Sequence, residues 1–202
     1  MIVSEPARVL FVHVQKTGGT SITKLLLDHV DGARHDGTLR GDKHATLPTI
    51  LKKHPDYSDF FIVGFVRNPW ARMLSWYSMV ERRSDKPVMM QRNAFWRGVA
   101  DGYPDFESFV MKAPDEFSRL RRPQIDYLRY RGRRADFIGR TERLSEDVAA
   151  VADRLGLPQA VEVERRNSAG PLAYQDAYTP AMRDRVAELY AADLRTFDYT
   201  FD

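Results

Sequence analysis

Lys16 is followed by Thr17, Gly18, Gly19, Thr20 and Ser21, an order of side chains suited to holding an anion. Two adjacent glycines allow positive φ angles and a close approach of the backbone. The amides of Thr17 to Ser21 can then turn toward a phosphate at the start of a helix, where the helix dipole assists. Lys16 contributes a mobile positive charge, and the Thr20 and Ser21 hydroxyls contribute donors. In a Walker A loop the lysine comes after the glycines, as Gly-Lys-Ser/Thr, and the hydroxyl holds magnesium. Here the lysine precedes them and Gly-Lys-Ser/Thr occurs nowhere, which disfavours a conventional ATPase or GTPase. A second constellation lies in GFVRNPWARMLSWY, residues 64–77. The Arg67 guanidinium suits a phosphate dianion, and Ser75, two helical turns further on, offers another donor.

Elements of regular spacing must carry these groups. RVLFVHV (8–14) and FFIVGFV (60–66) are apolar throughout, as buried parallel strands are. ADFIGR (135–140) reads as a third strand. After the first, a helix starts at Thr20 or Ser21, with Ile22, Leu25, Leu26 and Val30 on one face. Asn68-Pro69 opens a second helix, in which Trp70, Met73, Leu74 and Tyr77 are core candidates. A third spans about 142–155 and stops at Gly156, and a last one begins near Pro180. Strands alternating with helices predict a three-layer α/β fold with a mainly parallel central sheet. The long polar intervals 31–58 and 81–134 should hold helical insertions and the determinants of specificity.

At 202 residues with 43% hydrophobic content, the chain fits a single domain. Cysteine is absent, which removes disulfides and thiol metal sites from consideration. No apolar run is long enough for a membrane span, and MIVSEPAR lacks the regions of a secretory signal. A soluble cytoplasmic protein is the expectation from these features, and the resemblance described below makes it a bacterial-type enzyme. The net charge of +3 does not by itself call for nucleic acid, and none is expected as a partner. Seven arginines nonetheless fall between Arg119 and Arg134, with Asp126 the one acid among them. They read either as a solvated helix face and turn or as a focus for anionic ligands.

Taken together, the two phosphate-type segments resemble the sulfotransferases that use 3′-phosphoadenosine 5′-phosphosulfate (PAPS), especially their carbohydrate, family 2-like branch. The stretch His13–Ser21 matches that family's first signature, and Phe65–Tyr77 matches its second. FIGRTERL (137–144), RNS (166–168), RPQIDYL (122–128) and YTPAMRDRVAELYAADLRTFDY (178–199) add similarity in the same order. The resemblance implies a P-loop NTPase-like fold. It assigns the 5′-phosphosulfate to Lys16, Thr17, Gly18, Gly19, Thr20 and Ser21, and the 3′-phosphate to Arg67 and Ser75. It implies PAPS as donor, adenosine 3′,5′-bisphosphate (PAP) as product, no metal, and a hydroxyl-bearing acceptor of carbohydrate or glycan-like type. An atypical small-molecule kinase and a polyanion-binding module built on Arg119–Arg134 are the competing readings.

Sulfuryl transfer needs a group to stabilise the leaving phosphate, and Lys16 is the candidate. It also needs a base for the acceptor hydroxyl. Imidazole is matched to that task near neutral pH. Of the five histidines, His13 lies within a strand and reads as structural, and His29 reads as a surface residue. His44, at the start of a helix in the first insert, is the favoured base, with Glu81, Asp36, Asp42 and His35 as competitors. Arg140 and Glu142 either border the site or form an internal ion pair, and Asn167 and Ser168 approach the donor by resemblance. Trp96 is the candidate for stacking on a sugar.

Overall fold

The computed structural model describes residues 1–36, 43–84, 94–157 and 173–202. Two compact units emerge, Met1–Arg67 with Gln124–Ser168, and Asn68–Pro123 with Ala169–Asp202.

The first unit is built on a five-stranded sheet of order β3-β1-β2-β4-β7, with β1 Ile2–Ser4, β2 Val9–Val12, β3 Arg34–His35, β4 Phe61–Val66 and β7 Phe137–Arg140. Only its centre is parallel: β2 runs with β4 (Val12↔Gly64), and β4 runs with β7 (Val66↔Arg140). β1 pairs antiparallel with both β2 and β3, so the sheet is mixed where the sequence predicts it mainly parallel. The cause is a tight reversal after β1, where Arg8 takes a positive φ of 52° and its N–H bonds to Glu5 O at 3.1 Å.

Helices cover both faces of this sheet. Helices α1 (Gly19–His29) and α8 (Leu144–Arg154) bury Ile22, Leu25, Leu26, Val148 and Val151 against Phe11, Val63 and Phe65. On the other face Leu128, from the short helix α7 (Ile125–Leu128), lies directly against Gly64, and α2 (Leu47–Lys53) packs beside α7. This is the three-layer arrangement expected of buried, fully apolar strands. Between α7 and β7 a two-stranded hairpin is made by β5 (Arg129–Tyr130) and β6 (Arg133–Arg134).

The second unit is helical: α3 (Pro69–Ser84), α4 (Ala94–Gly102), α5 (Phe106–Glu116), α6 (Ser118–Arg121), α9 (Pro180–Leu189) and α10 (Ala191–Phe197). Trp70, Met73 and Trp76 of α3 meet Phe95, Trp96, Phe109, Met182, Val186 and Tyr190 in one core. Trp96 is 8% exposed and packs on Phe95 and Trp76 with ring centroids 4.8 and 6.0 Å away. It is a core residue, not a sugar platform, because α4 directs its Phe95–Trp96–Val99 face into the helical cluster. Among the described residues no helix is long and apolar enough to cross a membrane.

Candidate functional site

The junction of β2 and α1 is a turn held from within. Thr17 is fully buried, and its hydroxyl donates to Val14 O at 2.9 Å. Lys16 and Gly18 adopt φ angles of 70° and 74°. Glycine takes this conformation without penalty, whereas lysine there is uncommon and costs roughly 1–3 kcal/mol. Ser21 N–H closes the first turn onto Gly18 O at 3.1 Å. The helix begins at Gly19, earlier than Thr20 or Ser21. Among the described residues no side chain caps α1, and its first turn contains no acid. A helix end of this kind, beside a lysine, suits a bound anion.

Gly19 has no room for a side chain. A Cβ on it would lie 2.1 Å from Nε2 of His13, whose ring is buried against the helix start. His44 completes the arrangement. Its Nδ1 lies 3.0 Å from His13 O, and the two imidazoles meet edge to face at 4.5 Å. A carbonyl only accepts, so in the neutral ring Nδ1 carries the proton and Nε2 the lone pair. His44 is thus fixed through His13 to the loop that carries Lys16. It precedes α2 in a turn instead of opening the helix, which Thr46 caps by accepting from Thr49 N–H.

Burial, reinforced by the neighbouring His44, holds His13 well below the usual imidazole pKa. The unfolded chain therefore takes up a proton near pH 6.5 that the folded chain resists. Stability is full above about pH 6.5 and falls as the pH drops below it, by at most about 1.4 kcal/mol per pH unit. His13→Gln is expected to flatten that acid-side slope. Urea midpoints from pH 7.5 to 5.5 will check it, and an unchanged slope in the variant would assign the loss elsewhere.

The register Val12↔Gly64 brings the end of β4 to the same sheet edge as this loop. Arg67 follows there, with its N–H and C=O bonded to the Gln124 carboxamide at 2.9 and 2.8 Å. Beside it, the Thr141 hydroxyl donates to Val66 O at 3.0 Å. Beyond β7, Asp147 accepts from Arg140 N–H and pairs with Arg143 at 3.2 Å. Asp147, which the sequence reading passed over, is buried, while Arg143 and Glu142 are exposed.

Ser75 lies within α3 of the second unit and is 7% exposed. Asp36 faces His54, with Oδ2 3.5 Å from Nε2. His35 lies exposed on β3, His29 exposed at the end of α1, and Glu81 exposed on α3. Asp42, Asn167 and Ser168 lie outside the described residues.

Of the seven arginines between Arg119 and Arg134, Arg119, Arg121 and Arg122 belong to the second unit and the other four to the first. Arg119 lies over the Phe95 ring at 4.3 Å. Arg133 ties the hairpin to the start of β4, donating to Ser58 O at 3.1 Å and Phe60 O at 3.2 Å and to both oxygens of Asp136. That end of the strands is opposite the Lys16 loop. Arg129 pairs with Asp126 at 2.8 Å.

Sequence reasoning missed Gln124 and the His13–His44 contact. The signal for Gln124 was a glutamine in RPQIDYL that no surface role required.

A family model described as "Sulfotransferase family" matches residues 1–200. A protein of Archaeoglobus fulgidus described as uncharacterized is 32% identical over 114 residues, covering 56% of this chain and 82% of its own length. No solved structure matches the chain significantly.

Proposed function

The chain belongs to the sulfotransferase family, and from that premise we propose that it moves a sulfuryl group from PAPS to a hydroxyl of a carbohydrate or glycan-like acceptor. PAPS, when bound, supplies an activated sulfur and a phosphate leaving group. The observation that carries the reading is the uncapped start of α1 beside Lys16, at the sheet edge where Arg67 also emerges. The strand, loop and helix with a parallel β4 alongside support a P-loop-like reading of the first unit. We read residues 1–202 as one sulfotransferase domain, with acceptor selectivity in segments 31–58 and 81–134.

In this reading the amides of Thr17 to Thr20 and the Thr20 and Ser21 hydroxyls hold the 5′ end of the donor. Arg67 and Ser75 are assigned the 3′-phosphate by the motif. His44 Nε2 takes the proton from the acceptor hydroxyl as its oxygen bonds to sulfur, in line with the breaking bond between sulfur and the bridging oxygen. Lys16 and the loop amides stabilise the charge that this oxygen retains.

Equilibrium titration tests the donor assignment. PAP should bind at least about tenfold more tightly than either AMP or ATP–Mg, the worth of one charge-assisted phosphate contact. Arg67→Ala should bring PAP down to the affinity of AMP. If ATP–Mg bound as tightly as PAP, a kinase with an atypical loop would become the better reading.

A further inference from the structure

Gln124 stands where α7 begins, is completely buried, and bonds with both ends of its carboxamide to the backbone of one residue. Oε1 accepts the Arg67 N–H at 2.9 Å, and Nε2 donates to the Arg67 C=O at 2.8 Å. This is the pair of bonds that a facing residue on an antiparallel strand would exchange with Arg67. The last register pair of β4 with β7 is Val66↔Arg140, so Arg67 lies one step past the ladder. Thr141 holds the carbonyl immediately before it, at Val66, at 3.0 Å. Two side chains in succession thus fix the backbone at the point where β4 stops fixing it.

A structural glutamine would serve at any strand end. Here both bonds converge on the residue that carries the proposed charge for the 3′-phosphate. We propose that Gln124 is a positioning residue that sets the backbone of Arg67, so that its guanidinium is presented to the 3′-phosphate of the donor. This rests on the PAPS reading above. Leucine at 124 removes both bonds. Glutamate keeps the acceptor but sets a carboxylate against the Arg67 carbonyl, and regains a donor only when protonated.

The test is calorimetric titration of PAP and AMP into wild type, Gln124→Leu, Gln124→Glu, Arg67→Ala and the Gln124→Leu/Arg67→Ala double variant. Both Gln124 variants should lose about tenfold in PAP affinity while AMP affinity stays within about twofold. The loss should vanish in the Arg67→Ala background, as coupling through one residue requires. Relative to wild type, Gln124→Glu should recover PAP affinity as the pH is lowered, a rescue that simple misfolding would not give. Equal losses for PAP and AMP, or a loss that adds to that of Arg67→Ala, would overturn the positioning role alone. A wild type that does not distinguish PAP from AMP would instead overturn the 3′-phosphate reading, and this proposal with it.

Discussion

Lys16→Gly is expected to lower kcat for sulfuryl transfer about 10²–10³-fold, the cost of removing one preorganised donor from a developing oxyanion. Glycine is the informative replacement because Lys16 has a φ of 70°. At such an angle glycine is unstrained, so the loop path and its amides persist while the ammonium is lost. Alanine would keep the strain and confound the two effects. The KM for PAPS should move much less than kcat, because the charge that Lys16 meets grows mainly as the sulfur–oxygen bond breaks. Steady-state kinetics separate the cases. A large rise in KM with kcat unchanged would make Lys16 a ground-state binding residue only.

His44→Ala should reduce kcat about 10²–10⁴-fold, the usual contribution of a positioned general base. The structural reason is the tautomer: with Nδ1 donating to His13 O at 3.0 Å, Nε2 holds the lone pair. His13 is not suited to the role, because its ring is buried between His44 and Gly19 and that burial lowers its basicity. Added imidazole should restore part of the variant's activity. Activity within tenfold of wild type would pass the role to His35, Asp36 or Glu81.

The two central parallel strands were legible because they are buried almost throughout and apolar at every position, as in Val9–Val12 and Phe61–Val66. The antiparallel edge was not. β1 has three residues and β3 two, too few for any periodicity to show, and their pairing is set by a backbone reversal at Arg8. Composition also misled at Trp96: a tryptophan in a polar stretch looked available, yet one face of its helix is apolar and buried. In the proposed site, Lys16, the glycines and Arg67 stand out in the sequence because their types suit an anion. The links among them do not, since Gln124 and Arg67 are 57 residues apart and His44 and His13 are 31 apart. Such links are properties of packing, and no local pattern encodes them.

The central claim is a transfer reaction, so the decisive measurement follows its two products. Protein is incubated with ³⁵S-labelled PAPS and a panel of hydroxyl-bearing carbohydrates, glycolipids and small metabolites, and labelled ester and PAP are quantified together. The account predicts that at least one acceptor gains label in equal amount to the PAP released, and that Lys16→Gly and His44→Ala suppress both. PAP release without labelled ester across a panel that a control sulfotransferase labels, or transfer unaffected by Lys16→Gly, would contradict it.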